Sequence, residues 1–524
     1  MKSDIITQQL QAEQITIQEA LHKVGHQGKY QKMAYAFFCF QWILGGCLLM
    51  SPIFIFEKPQ FQCQQNPQFT IEQCEKWVCQ QENPLQYQVK KLSSFVVEFD
   101  PPLICSRQWI ADTVAALNYG GSIIGFLISI YISDNKGRKI ASIIFWFIGA
   151  LGCAFIGIFN YNIWLSALGF SLANAGVNPT ITIHFCFINE HSDGNFREYT
   201  SASLNIFYSI GSFYLVVAYV LSTNWVQIIV YWIGIPMFVS LIYYYFIYEP
   251  PLFLYEKNKM KAIESLNKIA KFNKRPEVQA DSLKEREIEQ NQNQRIYGVF
   301  DLVKFKSMRL TTICTGIVFF ITQISYYGTN FTLSQIGLDT KYNTLAIAFS
   351  ELLAFSLVVI AIPKLKRRKW SFILTAIYSL IYIIFFFIKK PDNCTEYCKE
   401  NILQIALISL SRCLLSFQFS LCYVYFSEIY PTTIRSLGLG FISTIGQIGS
   451  AVSAYIVTYF NNQNISPIGI MGICSFISII AYLPLRETYS QPLKNEIDEI
   501  QSETSLNFGK QLTNFQSQIT NHDL

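Results

Sequence analysis

Residues 134–159 read DNKGRKIASIIFWFIGALGCAFIGIF. Three basic side chains, Lys136, Arg138 and Lys139, are followed by a stretch, 140–159, without a single charge. Roughly 20 apolar residues in a helix cross the hydrocarbon core of a bilayer, so 140–159 predicts a membrane span. Lys and Arg collect on the cytosolic side of such spans, so 134–139 predicts a cytosolic loop.

The same test applied in both directions predicts twelve spans, near 34–56, 109–132, 140–159, 163–187, 199–221, 225–247, 310–332, 343–363, 370–388, 402–425, 436–459 and 466–485. Composition agrees. Only 14% of the 524 residues are charged, against 51% hydrophobic, whereas soluble domains carry about 25% charge. Disorder requires low hydrophobicity and is excluded for the bulk of the chain. A net charge of +5 with no strongly basic domain argues against nucleic acid. The first 33 residues lack the apolar core of a secretory signal, so the first span is expected to target the chain.

Charge bias orients the spans. Lys364, Lys366, Arg367, Arg368 and Lys369 crowd one loop, and 249–309 holds 13 Lys/Arg against 9 Asp/Glu. Loop 57–108, with 5 basic and 6 acidic residues, has no such excess. The expected layout is a cytosolic segment 1–33, a six-helix bundle 34–248 carrying outer loop 57–108, and a cytosolic amphipathic insert 249–309. A second six-helix bundle, 310–486, and a cytosolic tail 487–524 follow. The Gln- and Asn-rich ends, 1–20 and 489–524, are expected to be mobile.

Six cysteines fall on the outer side: Cys63, Cys74, Cys79, Cys105, Cys394 and Cys398. They are disulfide candidates there, with the pairing left open. The other eight are expected to be packing residues, and no metal-type spacing occurs. Of the sequons at Asn330, Asn393 and Asn464, Asn393 is the best placed for glycosylation.

Short signatures recur at the loop positions. They include Val24-Gly25-His26-Gln27-Gly28-Lys29-Tyr30-Gln31, Glu98-Phe99-Asp100 with Cys105 and Trp109, and Asp134-Asn135-Lys136-Gly137-Arg138-Lys139. Glu190 with Arg197, Glu249-Pro250-Pro251-Leu252-Phe253-Leu254, Tyr326-Tyr327-Gly328, Glu428-Ile429-Tyr430-Pro431 with Arg435 and Gly438, and Glu487-Thr488 follow. Together they resemble the major facilitator superfamily and, within it, the organic cation/anion transporter family. The pattern departs from that family at Ile130 and Asn135, at Pro250, Leu252 and Phe253, and at Pro363 and Lys366 in the second half. The resemblance implies an all-α membrane protein whose two six-helix bundles rock about a central site. It also implies a plasma-membrane location with both termini cytosolic; a vesicle or vacuole membrane suits the outer loop equally.

The resemblance further implies gating by charges at the inner helix ends: Asp134, Gly137, Arg138, Glu190, Arg197, Glu249, Glu428 and Arg435. We read these as an ion-pair network between the halves. For the run Lys364–Lys369 the topological role suffices. Ionisable groups at membrane depth are costly and mark function, which singles out Glu351 and Arg412, either to face a charged cargo or to pair with each other as a fixed ion pair between helices. Polar side chains on the span faces, Asn118, Asn178, Gln323, Tyr327 and Gln447, complete the expected substrate site, with interhelical hydrogen bonding as the competing role. His184 is a candidate proton-coupling group.

The expected function is transport of a small organic ion, cation or zwitterion, with proton or sodium as candidate coupling ion and membrane lipid as surroundings. A sugar or polyol porter of this fold, or a transport-inactive sensor or complex subunit, is the alternative. No cofactor is implied, and neither a phosphate cradle nor a nucleophile or zinc motif suggests an enzyme.

Overall fold

A computed structural model describes residues 15–57, 77, 79, 94–279, 282–284, 301–333, 339–388, 398–431, 434–489 and 491. The described residues are helical throughout, apart from turns and one isolated bridge between Ile15 and Leu283.

In chain order the helices are α1 Ile17–Val24, α2 Lys29–Met50, α3 Gln108–Lys136, α4 Arg138–Phe159, α5 Ile163–His191, α6 Gly194–Leu221 and α7 Trp225–Phe246. Helix α7 contains a π-helical stretch at Ile228–Gly234. Then come α8 Pro251–Lys257, α9 Lys259–Asn273, α10 Asp301–Lys304, α11 Lys306–Thr332, α12 Thr340–Ala361, α13 Arg367–Ile384, α14 Lys399–Ile429, α15 Arg435–Asn462 and α16 Pro467–Tyr482.

Nine helices among the described residues are long and apolar enough to cross a membrane, taken by length and composition. Three expected spans fall outside that set, each for a visible reason. Helix α5 carries Asn174, Asn178 and His184 in its interior, α13 opens with Arg367, Arg368 and Lys369, and α16 has only 16 residues.

Within the first half, α3 lies on α5, α4 on α5, and α2 on α6; within the second, α11 lies on α15, α13 on α16, and α12 on α14. Helices α3 with α15 and α6 with α12 join the two halves. Close approach is possible where side chains vanish. A Cβ on Gly121 or Gly125 of α3 would strike the carbonyl oxygen of Ser171 or Ala175 on α5, the small-residue packing that membrane helices favour.

Residues 17–20, part of the segment whose composition predicts mobility, begin a helix. Thr16 and Glu19 form a reciprocal capping box at the start of α1, a sequence pattern that nucleates a helix. The apolar face of α1, with Ala20, Leu21 and Val24, packs on Ile263, Leu266, Ile269 and Ala270 of α9. Asn273 then locks the joint. Its Oδ1 accepts from the Tyr30 amide (2.8 Å), while Nδ2 donates to the carbonyls of Val24 (3.0 Å) and Gly25 (3.2 Å).

Cys79 and Cys105 form a disulfide. Cys398 is also disulfide-bonded. Cys63, Cys74, Cys394 and Asn393 lie outside the described residues. The eight remaining cysteines are free and at least half-buried. Asn330 is buried, with its amide on the Met50 sulfur (3.3 Å).

Candidate functional site

Glu351 of α12 and Arg412 of α14 meet in the second half, both fully buried. Arg412 Nε donates to Glu351 Oε1 (2.8 Å), and Nη2 stands 2.7 Å from the same oxygen. Nη1 donates to the carbonyl of Tyr326 on α11. The Tyr326 hydroxyl donates to Glu351 Oε1 (2.7 Å), and its ring lies 3.5 Å from the guanidinium carbon. Three helices thus converge on one ion pair. A charge pair in so dry a place survives only with good geometry and added hydrogen bonds, and both are present.

Aromatic rings surround it. Phe419 stacks on Tyr326 at 5.2 Å between centroids, and Tyr327 stands edge-on at 5.2 Å. From the first half, Tyr119 of α3 reaches Tyr327 at 4.7 Å. Several buried polar atoms of α3, α11, α12, α14 and α15 lack a hydrogen-bond partner: Glu351 Oε2, the Tyr119 hydroxyl, Ser416 Oγ, Gln323 Oε1 and Gln447 Oε1. Unpaired buried polar groups are costly, and Glu351 Oε2 is one of them at the ion pair itself.

The other expected substrate residues sit differently. Gln323 of α11 lies against Gly446 of α15, the residue before Gln447. Asn118 and Asn178 belong to a ladder between α3 and α5. Asn174 Nδ2 donates to Asn118 Oδ1 at close range, Asn178 Nδ2 to Ser122 Oγ (2.7 Å), and Ser122 Oγ to the Asn174 carbonyl (3.3 Å). Those amides bind one helix to another. His184 Nε2 lies 3.0 Å from the Tyr244 hydroxyl, which donates to Gln41 (3.0 Å).

The helix ends where gating is expected carry two matching charge clusters. Arg138 pairs with Asp134 (2.5 Å) and Glu190 (3.1 Å), beneath the ring of Phe253 at 4.9 Å. Glu249 accepts from the amides of Arg138 and Lys139 at the start of α4. Burial pushes its carboxyl up, partly offset by those amides. In the second half, Arg367 pairs with Glu428 (3.2 Å), and Glu487 accepts from the amides of Arg367 (2.8 Å) and Arg368 (3.2 Å) at the start of α13. Each carboxylate faces the positive end of a helix dipole.

Gly137 makes the first cluster possible. Its φ is +116°, and a Cβ there would lie 2.6 Å from Glu249 Oε1.

In this conformation the ion pairs of the two clusters each stay within one half among the described residues. Arg197 pairs with no described residue, and Arg435 Nε and Nη2 have no partner. Arg367, assigned to topology in the sequence, and Glu487 are cluster members that sequence reasoning passed over. Their signal was the repeat itself, since they occupy the places of Arg138 and Glu249 in the second half.

The described cross-half hydrogen bonds all lie at the helix ends opposite the two charge clusters. Thr458 of α15 donates to Asp112 of α3 (2.9 Å) and accepts from Gln108 (3.3 Å), Tyr455 donates to Thr113 (2.9 Å), and Thr340 of α12 donates to Glu57 (2.5 Å).

The model of the family described as sugar (and other) transporter matches residues 38–500. Organic cation/carnitine transporter 2 of Rattus norvegicus is 26% identical over 414 residues, covering 78% of this chain and 72% of that protein. Organic cation transporter protein of Drosophila melanogaster is 23% identical over 543 residues, covering 94% and 95%. Among solved structures, the major facilitator superfamily proton:xylose symporter XylE bound to 6-bromo-6-deoxy-D-glucose matches with TM-score 0.58 at 15% identity, over 88% of this chain and 98% of that one. The inward-open form of XylE from E. coli matches at 0.56 and 16%, over 88% and 97%. The fold is that of the major facilitator superfamily.

Proposed function

This chain belongs to the sugar (and other) transporter family and is a multi-pass transmembrane transporter; from there we propose that its cargo is a small organic cation or zwitterion, moved by alternating access. The observation that carries this reading is the fully buried Glu351–Arg412 pair, framed by Tyr326, Tyr327, Tyr119 and Phe419. A neutral sugar has no use for a desolvated ion pair. A zwitterion offers a partner to each member: an ammonium for Glu351, a carboxylate for Arg412. Aromatic faces add attraction for an ammonium, about 2 kcal/mol where water is excluded. The name of the rat relative, with its carnitine, fits a betaine-like cargo.

Both termini and the insert are assigned to the cytosol, with the plasma membrane as the site of action and a proton or sodium as candidate coupling ion. The gating role is assigned to the two inner clusters. When the outer bonds of Thr458, Tyr455 and Thr340 release, the inner ends approach, and Arg435 and Asp134 gain partners across the divide.

The test is thermal unfolding of the purified chain with betaines, tetraalkylammoniums, carboxylates and hexoses, Glu351→Gln alongside. A ligand at about 100 times its Kd adds about 2.7 kcal/mol. Stabilisation by betaines or ammoniums that vanishes in Glu351→Gln is expected. Stabilisation by hexoses alone replaces this reading with a sugar porter.

A further inference from the structure

On the flank of the second half, α11 and α15 enclose a crevice of about 310 Å³, comparable to the smaller small-molecule pockets, which start near 300 Å³. Its floor follows one face of α11: Thr312, Gly316 and Phe320, four residues apart. Phe441 and Ile445, also one turn apart, form the α15 wall. Gly316 keeps the space open, since a Cβ there already lies 3.2 Å from Ile445 Cδ1.

The lining offers nothing to a polar solute. The Thr312 hydroxyl is its one polar side-chain group, and it already accepts from Tyr430 (3.2 Å) and faces the Leu302 carbonyl (3.4 Å). Ile313, Ile317 and Val303 form the lip and are exposed, so the crevice opens outward to the bilayer and away from the central site. At its loop-side end stand Lys304, next to Val303, and Arg309, one turn before Ile313; both are exposed. From Arg309 to Phe320 the helix rises about 16 Å at 1.5 Å per residue, close to half of the ~30 Å hydrocarbon core. Charge at the surface and an apolar slot one leaflet deep describe a phospholipid.

We propose that this crevice holds an acyl chain of an anionic phospholipid, from the leaflet on the side of α8 and α9, with its headgroup phosphate on Lys304 and Arg309. The site is independent of the cargo. It touches the transport machinery at one point: Phe441 follows Gly440, against which Ile130 of the first half packs. A seated lipid therefore borders the contact between the moving halves.

The test uses the full chain in mild detergent, titrated with dioleoylphosphatidylglycerol or dioleoylphosphatidylcholine and read by native mass spectrometry. A single adduct forming first with phosphatidylglycerol is expected. Lys304→Gln with Arg309→Gln should weaken it about thirtyfold, from about 1 kcal/mol per surface cation. Gly316→Leu should abolish it, with circular dichroism confirming the fold. On the unaltered chain, phosphatidylglycerol carrying an acyl-chain diazirine should label peptides containing 312–320 and 441–445. Equal adducts with the two lipids, labelling elsewhere, or competition by cholesterol but not by phosphatidylglycerol would each overturn the proposal.

Discussion

Removing one member of the Glu351–Arg412 pair should cost far more than removing both. Glu351→Met leaves Arg412 buried with only the Tyr326 carbonyl, and strips the Tyr326 hydroxyl of its acceptor. Arg412→Met leaves an uncompensated buried carboxylate. Breaking a buried pair from one side costs about 3–5 kcal/mol, whereas replacing both partners by apolar groups of similar volume is often neutral. Both residues have 0% side-chain exposure, so solvent offers no relief. The double variant Glu351→Met/Arg412→Met still strips the Tyr326 hydroxyl and is therefore expected to cost about 1–3 kcal/mol, well below the sum of the two single variants, a coupling of about 3 kcal/mol or more. Unfolding in mixed detergent and dodecyl sulfate, followed by circular dichroism, gives the cycle. Uptake into proteoliposomes gives the functional half: the double variant should be stable and inactive. Single variants costing under about 1 kcal/mol, as exposed pairs do, would refute the claim that the pair is dry. A double variant that still transports would refute its role in cargo binding.

The outer seal should respond to pH. Glu57, held between Thr340 and Tyr219 and next to Asp339, is pushed by burial from its ordinary 4.5 up to about 7; Lys341 pairs with Asp339 on the far side (3.0 Å). The closed form therefore binds the proton more tightly than an open, solvated one. Between pH 4.5 and about 7, rising pH weakens closure by up to ~1.4 kcal/mol per unit, so alkaline buffer should speed labelling of a reporter thiol placed behind the seal. Glu57→Gln should flatten that profile. Gly137→Ala should destabilise the first inner cluster by about 1–3 kcal/mol through positive-φ strain alone, and more through the displaced Glu249, measured by the same unfolding assay. Asn273→Ala removes bonds worth about 1 kcal/mol each and should speed amide exchange of residues 17–31, leaving α11 to α16 unchanged.

Hydropathy made the spans legible because the solvent that selects them is uniform: a run such as 140–159 has no other stable home. The ionisable pair was legible for the same reason, since each of Glu351 and Arg412 is expensive alone. What sequence could not assign was partnership. Asn118 and Asn178 make a polar stripe whether they face a cargo or the neighbouring helix, and only the approach allowed by Gly121 and Gly125 decides for the helix. Arg367 sits in a basic run that topology already explained, and a positive-inside Arg looks the same in one dimension whether or not Glu428 waits for it. Composition misled at the N-terminus, where a Gln-rich segment hides Thr16-Ile17-Gln18-Glu19, a local signal stronger than the average around it.

The bond from Tyr30 to Asn273 spans 243 positions of sequence, which gives it a place in time. Synthesis proceeds at roughly 5–20 residues per second, so Asn273 leaves the ribosome about 10–50 s after Tyr30. Throughout that interval the start of α2 has no lock, while the whole first bundle is being threaded into the membrane. When Asn273 arrives, it closes the joint over helices that are already inserted. The side chain thus acts as a completion mark on the nascent chain: the N-terminal segment can dock only on a first half that has been made in full.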